Sequence, residues 1–189
     1  MYTICDGWVE QARIIQSPNF NERPETSLIN AIIIHSISLP PGSYQGNDIS
    51  DFFMNHLDCH KDPYYKKIAD LKVSSHILIR RTGELIQYVN LFSRAWHAGQ
   101  SSLYGQDNCN NFSIGIELEG TDNSTFEQAQ YTVLTDIVLA LMACFPKITS
   151  ERIVGHSDIA PGRKTDPGSG FDWQQWKSQL TSKKLLKRS

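Results

Sequence analysis

The sequence predicts a single α/β domain in which a mixed central β-sheet is flanked by α-helices. Short β-branched runs alternate along the chain with segments of helical apolar periodicity, and this order of elements is typical of such a sheet. The 189 residues suit one hydrophobic core, and no repeat or low-complexity linker divides them. We therefore expect one domain over residues 1–189, with a short basic tail from about residue 181.

The first half of the chain predicts a buried strand, a helix and a hairpin. "AIIIH" at 31–35 is a short β-branched run followed by "LPPG", which predicts a strand. "DISDFFMNHLD" at 48–58 starts with residue types that cap helices, so a helix is expected there. "SHILIRRTGELIQYV" at 75–89 predicts a hairpin that turns at Thr82 and Gly83.

The second half predicts two more strands and two helices. "FSIGIELEG" at 112–120 and "RIVGH" at 152–156 are expected to be strands. Helical spacing over 127–145 predicts one long helix that stops before Pro146. "FDWQQWKSQL" at 171–180 predicts a final short amphipathic helix.

The strand at 112–120 alternates strictly between apolar and other residues. Successive side chains of a strand point to opposite faces of the sheet. One face is expected to carry Ile114, Ile116 and Leu118, and the other Gly115, Glu117 and Glu119.

The charge and the cysteines exclude several classes of protein. A net charge of -2 gives no electrostatic reason to expect nucleic acid or a membrane as a partner. The N-terminal segment has no apolar run long enough for a signal peptide or a membrane span, so we expect a cytoplasmic protein. The four cysteines, at positions 5, 59, 109 and 144, form no CxxC pair and are expected to be free thiols, with Cys144 in the core.

The stretch "IVGHSDIAPGRKTDPG" at 153–168 suggests a metal site. It is expected to be non-helical, and it holds a histidine, a lysine and an aspartate close together. If His35 and His156 each end a strand, both imidazoles could point to the place where Asp166 returns on the loop. Two imidazoles and a carboxylate suit Zn²⁺ and leave one position open, as catalytic zinc sites require. Separately hydrogen-bonded polar residues remain the alternative.

Other histidines and a cysteine offer rival sites. His56 and His60 lie four apart, as in zinc proteases, but the glutamate expected after the first histidine is a leucine here. His76 lies in an apolar strand, which is typical of a hydrogen-bonded core histidine, and His97 could line a pocket without binding metal. Cys109 lacks the local turn motif of a covalent nucleophile.

Several long blocks resemble the zinc-dependent N-acetylmuramoyl-L-alanine amidases, in order from "DGW" at 6 to "FDW" at 171. They are "IIIHSISLPPG", "SSHILIRRTGELIQYV", "RAWHAG", "NFSIGIELEGTD" and "GHSDIAPGRKTDPG". The blocks are most similar to the cytoplasmic 1,6-anhydro-N-acetylmuramyl-L-alanine amidases of cell-wall recycling. The resemblance implies the fold that these enzymes share with peptidoglycan recognition proteins.

The resemblance also implies a site and a reaction. His35, His156 and Asp166 would bind one Zn²⁺ per chain, and the implied reaction is hydrolysis of the amide between (anhydro)muramic acid and L-alanine. Glu117 would transfer the proton of the attacking water, and Lys164 would stabilise the oxyanion.

The expected substrate contacts differ from the family pattern at three positions. Trp96 could lie along the sugar, and His97, Ser36 and Lys72 are further candidates for substrate contact. Close relatives usually have asparagine at the place of Ser36 and arginines at those of Lys72 and Asn108. A lysine cannot offer the bidentate fork of an arginine, so the contacts to stem-peptide carboxylates are expected to differ.

We expect a monomer whose partner is an anhydro-muropeptide. A non-catalytic muropeptide-binding module with the same fold is the main alternative. Such modules typically lack part of the ligand set, whereas this chain has all three ligands together with Glu117 and Lys164. A secreted amidase that acts on intact wall is a second alternative, which the missing signal peptide argues against.

Overall fold

The computed structural model describes residues 2–44 and 46–186. The strands are β1 (Ile4–Cys5), β2 (Trp8–Val9), β3 (Arg13–Ile14), β4 (Phe20–Asn21), β5 (Ala31–Ile37), β6 (Ile77–Ile79), β7 (Leu85–Gln87), β8 (Arg94–Ala95), β9 (Ser102–Leu103), β10 (Gln106–Asp107), β11 (Ser113–Glu119) and β12 (Ile153–Gly155). The helices are α1 (Asp48–Phe53), α2 (Tyr65–Ile68), α3 (Gln128–Cys144), α4 (His156–Ile159) and α5 (Trp173–Leu186), and short 3₁₀ turns cover Cys109–Asn111 and Ser150–Arg152.

Six of the strands form the central sheet, in the order β12-β5-β11-β6-β7-β3. Strands β12, β5, β11 and β6 run parallel, whereas β7 is antiparallel to β6. The sheet is therefore mixed, as predicted. Its central strands are rich in isoleucine, which suits strands that are buried on both faces.

Helices cover both faces of this sheet. On one face, α3 and α5 pack against the side chains of β5, β6 and β11 that include Ile34 and Ile116. On the other face, α1 and Tyr65 of α2 pack against the hairpin residues Leu78 and Ile86. The predicted alternation of β11 is confirmed, because Ile114, Ile116 and Leu118 all lie in the core beneath α3. The opposite face of β11 is thereby left for polar side chains.

The predicted hairpin and the predicted long helix are both confirmed. Strands β6 and β7 pair across a turn in which Gly83 adopts a φ of 86°, a conformation that favours glycine. Helix α3 begins after Glu127, whose side chain forms a reciprocal capping box with Gln130. None of the described helices has the length and apolar character needed to cross a bilayer.

The predicted helix at 48–58 is too long by five residues. Helix α1 ends at Phe53, and Asn55 has a left-handed φ of 61° that cannot continue a helix. The Asn55 side chain exchanges hydrogen bonds with that of Asn19, and this distant contact stabilises the helix end. His56 and His60 therefore do not share a helix face.

The predicted helix at 171–180 begins two residues later and ends six residues later, as α5. The basic residues from position 181 to position 186 lie in its last turns, while residues 187–189 of the expected tail fall outside the described residues. Lys183 contacts Asp136 of α3 at 2.8 Å, which ties these turns to the domain.

All four cysteines are free thiols, as expected. Cys144 is exposed near the end of α3. The prediction that it lies in the core is wrong because the helix turns this position outward.

Candidate metal centre and active site

The structure brings His35, His156 and Asp166 together at one point. The Nδ1 atoms of the two histidines are 3.0 Å apart, and each is 3.0 Å from Oδ2 of Asp166. Within the described residues, this is the single group of three or more histidine, cysteine, aspartate or glutamate side chains that lie close enough together to hold a metal ion. Both histidines are buried, and Asp166 is partly exposed.

The backbone around two of these residues differs from the prediction. Strand β5 continues two residues beyond His35, so the ring leaves the sheet before the strand ends. Strand β12 ends at Gly155, and His156 is the first residue of helix α4, in a stretch that was expected to be non-helical. The Asp158 carboxylate accepts the Gly155 backbone N–H at 2.7 Å, which caps this helix and explains why it forms.

The donor atoms of this group fit a metal cation. The Nε2 atom of His156 is 3.1 Å from the carbonyl oxygen of Ala98, which can only accept a hydrogen bond. A neutral His156 therefore has its proton on Nε2 and directs an unprotonated Nδ1 at the carboxylate of Asp166. These two hydrogen-bond acceptors lie 3.0 Å apart and repel each other unless a cation lies between them. A metal ion is such a cation.

Burial also favours a neutral ring at His35. Desolvation lowers the pKa of His35 to about 4, although the hydrogen bond to Asp166 opposes the shift. The ring is therefore neutral at physiological pH. A neutral imidazole is the form that binds a metal.

Glu117 lies beside this group on the next strand. In the parallel pairing of β11 with β5, it is directly opposite His35. Its Oε2 atom is buried and has no hydrogen-bond partner within the described residues. Burial raises the pKa of Glu117 well above its usual value, and the charge of Asp166 adds to the effect. Such a shift favours the protonated form of the carboxyl group at a pH at which an exposed glutamate is already ionised.

Lys164 occupies the loop between α4 and α5, two residues before Asp166. The loop is held where it turns, because the Ser157 N–H donates to the Asp166 carbonyl and the Lys164 N–H to that of Ala160. The Lys164 side chain is exposed, and its charge lowers the pKa of Glu117 and of His35. Its ammonium group therefore acts electrostatically on the centre without being buried in it.

The centre opens into a cavity of about 550 Å³. One wall is apolar and includes Phe52, Tyr64, Ile68, Leu71 and Val73. The rest of the lining carries the polar groups, which include His35, Glu117, His156, Lys164 and Asp166. A cavity with one apolar wall and convergent polar groups is the usual form of a small-ligand site.

The predicted substrate-contact residues are only partly in this cavity. Ser36, Trp96 and His97 line it, and the indole N–H of Trp96 donates to Asn21 at 2.7 Å. Lys72 is exposed and lies between two lining residues without being one itself. Asn108 lines a separate surface depression beside Arg163.

The rival histidines do not form a second centre in the part of the chain that the structure describes. His76 is fully buried, accepts the Gly115 backbone N–H at 3.0 Å and faces the Ser93 carbonyl at 3.1 Å. The prediction of a hydrogen-bonded core histidine is confirmed for this residue. Cys109 is buried, and burial raises the pKa of its thiol, which makes it a poor nucleophile.

The family model of N-acetylmuramoyl-L-alanine amidases matches residues 25–169, a range that includes the whole centre. The chain belongs to the N-acetylmuramoyl-L-alanine amidase family. The 1,6-anhydro-N-acetylmuramyl-L-alanine amidase AmpD of Haemophilus influenzae is 47% identical over 174 residues, which cover 92% of this chain and 95% of that protein.

Solved structures of amidases have the same fold. A crystal structure of AmpD, as a selenomethionine derivative, superposes with a TM-score of 0.91 at 45% identity, over 94% of this chain and 99% of that one. The Escherichia coli amidase AmiD matches with a TM-score of 0.59 at 30% identity, over 85% of this chain and 65% of that one. That structure is a complex with the substrate anhydro-N-acetylmuramic acid-L-Ala-D-gamma-Glu-L-Lys.

Sequence patterns did not predict two polar residues that lie behind the histidine rings of the candidate metal centre in this amidase. Ser113 of β11 contacts His97, and the Asn110 side chain accepts the backbone N–H groups of His97 and Ala98. Ser113 could have been found from the alternation of β11, because it shares a face with Gly115 and Glu117. The contact of Asn110 depends on a loop fold that no local pattern encodes.

Proposed function

We propose that this amidase hydrolyses the amide bond between N-acetylmuramic acid, in its 1,6-anhydro form, and the L-alanine of a stem peptide. The proposal depends on one observation: three atoms of types that can bind a metal ion converge beside a buried carboxyl group whose Oε2 atom has no partner within the described residues. The names of the AmpD relatives and the substrate held by AmiD support this choice of bond.

The proposed cofactor is one Zn²⁺ per chain, held by His35, His156 and Asp166. Two neutral imidazoles and a carboxylate suit zinc, and three protein ligands leave a position open. Zinc bound there would supply a Lewis acid that polarises the scissile carbonyl and lowers the pKa of a water molecule toward neutrality.

Glu117 and Lys164 carry out the steps that belong to the protein. The Glu117 carboxylate accepts a proton from the attacking water and passes it to the nitrogen of the leaving L-alanine. The products are the carboxylic acid of the muramic lactyl group and the free amine of the peptide. The Lys164 ammonium stabilises the oxyanion that forms on the carbonyl oxygen during the attack.

The cavity suggests how the two ends of the substrate lie. We propose that the sugar packs along Trp96 and the apolar wall, and that Ser36 at the edge of the centre contacts the amide region. Lys72, which is exposed beside this wall, is proposed to meet a stem-peptide carboxylate.

The proposed setting is cell-wall recycling in the cytoplasm, with the chain acting as a monomer. The 1,6-anhydro sugar in the name of the AmpD relatives supports a role in turning over released wall fragments. The net charge of -2 supports the expectation that nucleic acid and anionic membranes are not partners.

Mass spectrometry of the reaction products tests the proposal. Zinc-loaded protein is incubated with anhydro-muropeptide and, separately, with intact-wall fragments, and chelator-treated protein serves as the control. We expect the anhydro-muropeptide to be split into anhydro-N-acetylmuramic acid and a peptide that begins with L-alanine. Binding without cleavage would favour the recognition-module alternative, and cleavage of wall fragments alone would favour a wall-degrading amidase.

A further inference from the structure

We propose that His97 and Ser113 are positioning residues that fix the tautomer of the metal ligand His35. This inference rests on the proposed metal site, and it extends that site by one layer of hydrogen bonds. The layer runs from His35 through His97 and Ser113 to the backbone of Cys109, and we call it the tautomer relay.

The direction of every hydrogen bond in the tautomer relay follows from its far end. The carbonyl oxygen of Cys109 can only accept, so the hydroxyl proton of Ser113, at 2.6 Å, must point to it. The Ser113 oxygen is then left to accept from Nε2 of His97 at 3.3 Å. A neutral His97 consequently has an unprotonated Nδ1, which accepts from Nε2 of His35 at 3.0 Å.

The relay thereby decides which nitrogen of His35 is free. With its proton on Nε2, the neutral ring directs an unprotonated Nδ1 at His156 and Asp166. That arrangement is the one a metal requires, because a ligating nitrogen must have no proton. A metal-bound histidine commonly donates its other N–H to a neighbouring acceptor, and such partners orient the ring.

The segment that carries His97 also orients the second histidine. The carbonyl of Ala98 accepts from His156, and the Asn110 side chain accepts the backbone N–H groups of His97 and Ala98 at 3.1 and 2.8 Å. Two adjacent residues, stabilised by one asparagine, therefore determine the tautomers of both histidine ligands.

The space for the His97 ring is created by Gly115. A Cβ atom at this position would lie 2.5 Å from Cγ of the His97 ring, which is far too close for two carbon atoms. Successive residues on this face of β11 thus have separate tasks: Ser113 accepts from the ring, Gly115 makes room for it, and Glu117 reaches the cavity.

The same contacts argue against a role for His97 in binding substrate, although the residue lines the cavity. Its Nδ1 accepts from His35 and its Nε2 donates to Ser113, so neither nitrogen remains for a ligand. For the same reason it is a poor candidate for the general base. The structure therefore favours a positioning role over the predicted substrate contact.

The test combines zinc affinity with the tautomer of His35. ¹⁵N NMR of histidine-labelled, metal-free protein reports which ring nitrogen carries the proton, and competition with a chelator gives the zinc dissociation constant. In His97→Phe we expect His35 to lose its single Nε2–H tautomer and zinc to bind about 10–100-fold more weakly. In His97→Gln both should recover in part, because the amide can accept from His35 and donate to Ser113.

Two serine variants provide a second measurement if His97→Phe fails to fold. Ser113→Ala removes the acceptor of His97 and should weaken zinc binding. Ser75→Ala is the matched control, because Ser75 is equally buried and donates to the Gly115 carbonyl at 2.7 Å without contacting the relay. A parent-like tautomer and affinity in both His97→Phe and Ser113→Ala would overturn the proposal. Failure of the parent itself to bind zinc would instead refute the metal site, and the NMR result would still decide the relay.

Discussion

The two sides of the centre differ in how their polar atoms are satisfied. On the histidine side, the Nε2 atoms of His35 and His156 both have defined partners in the protein. On the opposite side, Glu117 Oε2 and the Lys164 ammonium have neither a hydrogen bond nor an ion pair within the described residues. The first side is organised before any ligand arrives, whereas the second keeps free the groups that would meet water and substrate. This division is typical of sites that hold a metal rigidly and act on a transient charge.

The largest effect is expected from removing a proposed metal ligand on the histidine side. His35→Ala and Asp166→Ala should each lose stoichiometric zinc, and turnover should fall to the level of the metal-free protein, because two ligands cannot hold the ion. Metal analysis of the purified variants checks this, with His56→Ala as a control at an exposed histidine outside the site. If both variants kept full zinc, the ligand assignment would be wrong.

Glu117→Gln should show most clearly that zinc binding and turnover depend on different sides of the centre. The amide has the same shape as the carboxyl group but cannot take a proton from water, so zinc should be retained while turnover falls by about 10²–10⁴. Metal analysis and steady-state kinetics on the same preparation measure both quantities. A wild-type rate in this variant would mean that another group transfers the proton.

Lys164→Ala should lower kcat with little change in substrate affinity. The ammonium is proposed to meet charge that exists only in the transition state, and losing one such donor costs on the order of 10²–10³ in kcat. Lys164→Arg should restore part of the rate, since the guanidinium spreads its charge over a wider plane. Steady-state kinetics measure kcat and calorimetry measures substrate affinity, with Lys147→Ala as a control at another exposed lysine. Loss of affinity with an unchanged kcat would favour a recognition module.

The sequence predicted the side of the centre that carries Glu117 better than it predicted the histidine side. The strict alternation of β11 placed Glu117 on the face opposite the isoleucines, and the structure has it there. The tautomer relay could not be predicted, because its contacts join residues 62 and 16 positions apart. Such pairs depend on how the loop before β11 folds over the sheet, which no local periodicity describes.

The predicted ends of helices and strands were wrong where residues distant in sequence make contacts at those ends. Helix α1 ends just before Asn55, which pairs with the distant Asn19, and the last turns of α5 contact α3 through Lys183 and Asp136. His156 begins a helix instead of ending a strand because Asp158 caps it within three residues. The last case carried a local signal, an aspartate three residues after a glycine, which the abundance of proline and glycine in this stretch obscured.

The smallest predicted effect concerns the stability of the metal-free protein. Burial raises the pKa of Glu117 above its usual value, so between the two pKa values the folded state binds more protons than the unfolded state. The free energy of unfolding should therefore fall as the pH rises through that window. Glu117→Gln removes this dependence, since its side chain does not ionise.

We expect Glu117→Gln to match the parent at low pH and to become the more stable protein as the pH rises, by about 1.4 kcal/mol for each pH unit of that window, because only the parent has a carboxyl group that ionises less readily when folded. Urea unfolding of chelator-treated protein at about pH 4, below the ordinary pKa of a glutamate, and at about pH 8 measures the difference. The other groups that face Glu117, which are His35, Lys164 and Asp166, are common to both proteins, but the charges of Asp166 and Lys164 act on the ionised carboxylate and therefore form part of the measured difference. Zinc should reduce the advantage of the variant, because a cation stabilises the ionised carboxylate. If the free energy of unfolding depended on pH in the same way for variant and parent, the Glu117 carboxyl group would already be satisfied in the folded protein. The proposed difference between the two sides of the centre would then be wrong.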